Sequence, residues 1–341
     1  MKLQKQLTAA LAGAALFGSV ANAEIPLTDE LSAYGYIDVA LTDGDGAGDT
    51  ETAVAEFELG FAFTPAESAW SAAAELSFGE ADVEWETVTI SYQYSDELSF
   101  TFGNILSYQG FETYDATGLY QYSYAGLDGT PLYSAAYAVG ASADYSAGDF
   151  DYGVWVGDTD TGTNSFEYLV AYNGIENLTV KAIYADDPGY KTINIWASYN
   201  YGNFTFAVES IDTEYEGAGS DVLGSFETYE AGLLAAGLVG TGDNGTFDDG
   251  DLLLTDLEAN MIMVYYAMGN AGLTVRYTDG TYTVSVPGGA GEADFEKFTI
   301  SPSYSFSDNV FGLIEFSSEE ITSQGVTIDN DTAAVELIYS F

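Results

Sequence analysis

The sequence contains no cysteine and no histidine, and only six lysines and arginines stand against 54 aspartates and glutamates. Without cysteine no disulfide braces the fold, so closure rests on backbone pairing and burial alone. The two absences together remove thiol nucleophiles, imidazole acid–base chemistry and the common zinc and copper ligand sets. No catalytic residue set is found, and no enzymatic activity is expected. The shortage of basic residues, at a formal net charge of −48, excludes nucleic acid as a partner, because phosphate binding needs Lys and Arg clusters. Proline is scarce at 6 residues, and no long apolar helix follows the first two dozen residues. What the chain has in plenty is 27 Tyr, 20 Phe and 38 Gly, so it is not a chain left disordered by low hydrophobicity.

The first 23 residues, MKLQKQLTAALAGAALFGSVANA, place Lys2 and Lys5 before an apolar run from Leu7 to Val20 and a small-residue Ala21-Asn22-Ala23 end. That order is the pattern of a secretory signal cleaved before Glu24, and the run is too short and too interrupted to serve as a membrane-spanning anchor. Residues 1–23 are therefore read as a signal peptide and residues 24–341 as one domain. Beyond residue 23 the only basic residues are Lys181, Lys191, Arg276 and Lys297.

That domain alternates apolar and polar residues with period two. Ala55, Phe57, Leu59, Phe61 and Phe63 oppose Glu56, Glu58 and Gly60, and Trp70, Ala72, Ala74, Leu76 and Phe78 oppose Ser71, Glu75 and Ser77. Sixteen such segments are read between residues 31 and 341, among them 83–94, 191–201, 271–283, 294–306 and 330–341. Links after even-placed segments are tight, as at residues 95, 202, 269 and 307, whereas links after odd-placed ones read as mostly longer, including 106–133 and 213–255. A soluble sandwich would bury one face in a dry core, but here the second face carries Glu, Ser, Thr and Asn strand after strand. The fold class is thus all-β: a transmembrane antiparallel β-barrel of about sixteen strands with short periplasmic turns and long extracellular loops. The stretch TYEAGLLAAGLVG, residues 228–240, is read as a helix or hairpin outside the barrel count, since one more strand breaks its even parity.

The chain stops on AAVELIYSF, where Leu337, Tyr339 and Phe341 share the apolar face. In hydrocarbon every backbone group must be paired, so such a last strand has to close on the first. This ending resembles the C-terminal signature of Gram-negative outer-membrane porins, which is read by the barrel-insertion machinery. By that resemblance Tyr339 and Phe341 join a periplasmic aromatic girdle with Tyr199, Tyr201, Tyr304 and Phe306. Two further stretches, FTFGNILSYQGFETYDATGLYQYSYAG from Phe100 and SYSFSDNVFGLIEFSSEE from Ser303, resemble β-barrel porin family two, the OmpL-like porins. The resemblance maps that family's glycines to Gly103 and Gly110 and its glutamates to Glu112 and Glu315, while Asn104, Leu313 and Ser317 stand where basic residues are usual.

The alternation assigns Asp38, Glu56, Glu58, Glu75, Asp151, Glu167, Lys181, Glu209, Arg276, Glu315 and Glu336 to the lumen. The third long-side link carries Tyr108, Phe111, Glu112, Tyr114, Asp115, Tyr120, Tyr122, Tyr124 and Asp128. In general porins that loop folds inward as a constriction; the alternative is a loop packed on its own rim. In GDNGTFDDGD, Asp243, Asp248, Asp249 and Asp251 offer hard oxygens to Ca²⁺, but their spacing misses the EF-hand pattern and a solvated acidic turn is the plainer reading. No other cofactor is expected. The function this implies is passive diffusion of small hydrophilic solutes and ions, cations before anions, across a bacterial outer membrane. The alternative is a barrel of structural or surface-interaction role, its lumen plugged by residues 213–255. Partners are outer-membrane lipid, small solutes and cations and, by analogy with sixteen-strand porins, two further copies in a homotrimer.

Overall fold

The strand Tyr190–Tyr201, YKTINIWASYNY, shows how the chain sorts its two faces. Thr192, Asn194 and Ser198 are buried, while Ile193, Ile195 and Tyr199 are exposed, Ile195 by 48% and Asn194 not at all. A soluble protein inverts this order. Apolar side chains that face outward around a whole sheet need a hydrocarbon solvent, and the enclosed face is where polar groups meet one another or water. A strand of about twelve residues rises roughly 40 Å, which at the 45° tilt of membrane barrels spans a hydrocarbon core of about 30 Å. No helix among the described residues is long and apolar enough to cross a membrane; the crossing is made by strands.

The computed structural model describes residues 24–44, 50–78, 83–112, 115–133, 137–158, 164–215, 253–286, 289–323 and 325–341. A two-residue strand β1 (Ile25–Pro26) lies on the start of β2. The barrel then runs β2 (Leu31–Gly44), β3 (Thr50–Phe63), β4 (Trp70–Phe78), β5 (Val83–Gln93), β6 (Leu98–Leu106), β7 (Tyr137–Ala147), β8 (Phe150–Asp158) and β9 (Asn164–Tyr172). It continues with β10 (Leu178–Asp187), β11 (Tyr190–Tyr201), β12 (Phe204–Tyr215), β13 (Leu253–Met268), β14 (Ala271–Val286), β15 (Gly289–Ser307), β16 (Val310–Ser323) and β17 (Val326–Ser340). Two 3₁₀ turns, η1 (Ala116–Gly118) and η2 (Leu127–Gly129), lie between β6 and β7. Each barrel strand is antiparallel to the next, and β17 pairs back onto β2, so the sheet is a closed ring of 16 strands among the described residues.

Closure happens where the terminal alternation placed it. Residues 332–340 pair with 44–36, and Gly35 and Phe341 exchange two backbone hydrogen bonds of 2.9 Å. The Phe341 ring stacks on Phe57 with centroids 6.2 Å apart. At the same end, the end of the tight turns, aromatic neighbours recur around the exterior: Tyr199 with Tyr201, Phe204 with Tyr266, Tyr304 with Phe306, Trp70 with Tyr92. All six residues assigned to the girdle lie in this belt, matching the interfacial preference of amphipathic rings.

The other end corrects the expectation of long links throughout. Asp187 pairs with Tyr190, Val286 with Gly289 and Ser323 with Val326, so three of these links are two residues long. What reads as loop at residues 284–286 and 289–293 is β14 and β15 running on as a paired ribbon beyond the expected 283 and 294. The Gly-rich and acidic flanks look loop-like one residue at a time, but antiparallel pairing satisfies their backbone groups. Between β6 and β7 lie residues 107–136, one of two long links; the other, residues 216–252, lies outside the described residues, as do 1–23 and the acidic run Asp243, Asp248, Asp249 and Asp251.

Candidate functional site

Between β6 and β7, residues 107–112 and 115–133 fold into the barrel and are held by lumen-facing side chains on strand after strand. Ser107 Oγ donates to Glu167 Oε1 at 2.6 Å and the Tyr108 N–H to Glu167 Oε2 at 2.7 Å. The Gly110 N–H donates to Asn194 Oδ1 and the Phe111 N–H to Glu209 Oε1, both at 3.0 Å. Further along, Thr274 Oγ1 donates to the Tyr120 carbonyl at 2.7 Å, Lys297 Nζ to the Gly126 carbonyl at 2.9 Å, and the Ser123 N–H reaches the Glu315 carboxylate at 3.2 Å. The segment thus meets β9, β11, β12, β14, β15 and β16 in turn. A loop lying on its own rim makes none of these contacts, so the inward course is a finding of the tertiary structure.

At the centre of this clamp is a buried ion pair between Arg276 on β14 and Glu112 on the loop. The guanidinium also donates to Ser123 Oγ and the Tyr124 carbonyl, and to the Gln121 amide oxygen when that amide is turned toward it. Glu112 accepts in addition from the Ala125 N–H at 2.8 Å, while its own carbonyl accepts from the Tyr133 hydroxyl at 2.8 Å. Charges buried this well are tolerated because their hydrogen-bonding capacity is filled on both sides. An apolar seal surrounds them: Tyr120, Leu127, Leu132 and Tyr133 of the loop pack on Ile211, Met261, Met263 and Phe295 of the inner wall. Gly110 makes the turn possible, at φ 89° and with the Tyr133 ring against it, where any side chain would meet that ring at about 2 Å.

The opposite wall is acidic. Asp38 on β2, Glu56 and Glu58 on β3, Glu75 on β4 and Glu336 on β17 all point inward. Glu86 joins them through a β-bulge: Ala74 pairs with Val88 and Leu76 with Trp85, which leaves Glu86 and Thr87 of β5 opposite the single residue Glu75. Two residues against one shifts the parity of the strand, so both turn inward. The Asn104 side chain donates to the carbonyls of Trp85 and Glu86 that the bulge frees. Beside it Gly103, at φ 132°, lies directly on the Val88 carbonyl and leaves no room for a side chain. The uncharged residue at position 104 thus has a structural task where the resembled family usually has a base.

Asp115, the loop residue just before η1, comes close to this wall. Burial and then the charges of Glu86 and Glu56 push its carboxyl up to about 7. Burial, with Asp144 beside it, likewise pushes the Tyr108 phenol up, so it stays a neutral donor and gives Asp144 Oδ1 a 2.7 Å hydrogen bond.

All eleven residues assigned to the lumen face inward, but the structure divides them. Glu167, Glu209, Glu315 and Arg276 lie beneath the loop as its anchors. Asp38, Glu56, Glu58, Glu75 and Glu336 form the acidic wall. Asp151 sits toward the tight-turn end, accepting from Ser146 Oγ and the Asn173 amide, and Lys181 lies 4.9 Å over the Trp196 ring. Of the loop candidates, Tyr114 lies outside the described residues and Asp128 falls in η2. Sequence reasoning missed several lumen residues, among them Lys297, Asn194 and Glu86. Lys297 is fully enclosed and paired with Glu319 at 2.7 Å, and the period-two pattern of β15 already turned it inward. Asn194 is buried on the polar face of β11. Glu86 was signalled by the change of apolar parity between Trp85 and Val88.

Compared with known structures, this barrel is similar to OmpF of Salmonella typhi in a complex with daunomycin, at 13% identity over 93% of this chain and 100% of that one, with a TM-score of 0.66. It is similar also to the in-vitro folded OmpT of Vibrio cholerae, an outer membrane protein, at 13% identity over 94% and 100% with a TM-score of 0.63. A third similar structure is the outer membrane channel DcaP of Acinetobacter baumannii, at 11% identity over 91% and 97% with a TM-score of 0.61. No family model matches the chain, and no curated protein matches it. At such identities the likeness is one of fold: the chain has the fold of an integral outer-membrane porin barrel.

Proposed function

We propose that the protein is an outer-membrane porin that passes small hydrophilic solutes and ions by passive diffusion and prefers cations. The observation that carries this reading is the division of charge inside the barrel. Arg276 and Lys297 are fully buried, each is paired with a carboxylate, and both are covered by the inserted loop. Lys181 is stacked on Trp196. The acidic wall of β2–β5 and β17 has no basic residue among its described members. On this reading solutes pass between the inserted loop and the acidic side of the lumen, where negative charge on the wall concentrates cations and repels anions. A sixteen-strand barrel is wide enough for such a passage beside an inserted loop.

The test is the zero-current potential of the purified protein in a planar bilayer under a KCl gradient. Cation preference in dilute salt supports the reading. Anion preference refutes the selectivity, and absence of any conductance favours the alternative of a barrel plugged by residues 213–255.

A place in porin family two belongs to the same proposal; it is supported by Gly110, Glu112 and Glu315, which have tasks in the loop or its anchorage, and by Gly103, which lies on the Val88 carbonyl beside the bulge. Cleavage of residues 1–23, recognition of Leu337, Tyr339 and Phe341 by the insertion machinery, and a homotrimer belong to the same reading.

A further inference from the structure

The acidic wall holds a cluster more closely drawn than a charged lining requires. Glu56 and Glu58 stand two residues apart on β3 and share its inner face, and the bulge in β5 brings Glu86 to them across β4. One carboxylate oxygen from each lies within 4.8 Å of the other two. Oxygens bound to a common Ca²⁺ sit about 2.3–2.6 Å from it, hence no more than about 5 Å apart, whereas Mg²⁺ demands a near-ideal octahedron at about 2.0–2.1 Å. The cluster matches the larger, less exacting ion.

A second observation concerns hydrogen bonding. Glu58 is 2% exposed, and its Oε1 has no hydrogen-bond partner; nor has Oε2 of Glu86. Asp38, paired across the ladder with Glu56, is 5% exposed with Oδ1 likewise unpartnered. Buried carboxylate oxygens without donors are costly unless a positive charge faces them. The lumen cations are engaged on other walls, Arg276 with Glu112, Lys297 with Glu319 and Lys181 over Trp196. Among the described residues the hydroxyl that donates to the cluster is Ser77 Oγ, 2.9 Å from Glu56 Oε1, and the Glu58 and Glu86 carboxyl groups hydrogen-bond to each other.

We propose that Glu56, Glu58 and Glu86 form a Ca²⁺ site in the lumen wall, and that the bound ion fastens the inserted loop by drawing in Asp115. The ion ties β3 to β5 where the bulge interrupts the β4–β5 ladder. Asp115 stands just ahead of η1, which packs against β17. The loop thereby gains a fastening to the β3–β5 wall besides the Arg276 clamp.

The experiment uses the whole mature chain folded in detergent, stripped with chelator and titrated with CaCl₂ alone, binding being read by calorimetry. One Ca²⁺ per chain is expected, with affinity reduced at least tenfold in Glu58→Gln and in Glu86→Gln and unchanged in Glu292→Gln, an exposed acid far along β15. Two ligand variants guard against one failing to fold, and heat-modifiable mobility on gels reports folding. Absence of binding by the folded wild type, or binding that neither ligand variant weakens, overturns the site; a cluster neutralised by shared protons gives the first result. For the fastening, a thiol at Thr117→Cys is expected to react several-fold more slowly with a maleimide when Ca²⁺ is present, and not in the Glu58→Gln background. Equal rates overturn that half. Binding is read without a membrane, so a chain that conducts nothing leaves this result intact, and failure to bind leaves the diffusion reading intact.

Discussion

Replacing Arg276 with Met removes the centre of the clamp that holds the loop in the lumen. The side chain is wholly enclosed and donates to Glu112, Ser123 Oγ and the Tyr124 carbonyl, so its loss leaves the Glu112 carboxylate buried with only the Ala125 N–H shown as donor. Breaking a buried pair by removing one partner costs about 3–5 kcal/mol. At about 1.4 kcal/mol per tenfold, that shifts the balance between inserted and released loop by roughly two to three and a half orders of magnitude. The strand ladders do not depend on Arg276, so the barrel itself should persist. Because the chain has no cysteine, a single Ala125→Cys, at a residue 1% exposed, supplies the only thiol, and its maleimide labelling tracks release of the loop. The expected result is slow labelling with Arg276 present and at least a hundredfold acceleration in Arg276→Met, partly reversed when Glu112→Gln removes the stranded charge. Labelling that is already fast with Arg276 present, or that Arg276→Met does not change, refutes the argument that this pair holds the loop.

Three other perturbations follow from the same geometry. Cation preference should be strong near 0.1 M KCl, where the Debye length is about 10 Å, and fade near 1 M, where it is about 3 Å; the triple change Glu56→Gln, Glu58→Gln and Glu75→Gln should weaken it at both, and an unchanged zero-current potential would place the selectivity elsewhere. Changing Tyr339 and Phe341 to Ser removes two exterior anchors and the stack on Phe57, and should leave little heat-modifiable barrel in the outer membrane; normal yield contradicts the role given to the ending. An epitope at Asp248 should be reached by antibody on intact cells and one between Gly269 and Asn270 should not, with the reverse pattern inverting the orientation.

The alternation that marks β3, β11, β12 and β17 is a property of residues two apart, and it is legible because hydrocarbon outside and polar groups inside impose it on every strand. For the same reason each lumen residue read from that alternation does face inward. The departures came where a strand was not uniform. The bulge turned Glu86 inward against the parity of Val88 and Ile90, and the ends of β14 and β15 looked like loop because Gly and acidic residues pair as well as apolar ones in a ribbon beyond the membrane. The run MIMVYYAM in β13 is apolar on both faces, with Met261 and Met263 inside. That double-sidedness was a visible sign that something covers the inner wall there.

What the sequence by itself determined is the class of solvent on each side of the sheet, and through it the barrel and its closure, since these follow from a local period and from the requirement that backbone groups be paired in lipid. What only the tertiary structure decided is the use of the lumen: that residues 107–112 and 115–133 lie inside it, that Arg276 and Lys297 serve the loop, and that the acids of β3 and β5 meet. Contacts such as Ser123 with Glu315, 192 residues apart, have no local signature. They exist because a closed ring brings the inner faces of all its strands within reach of one loop.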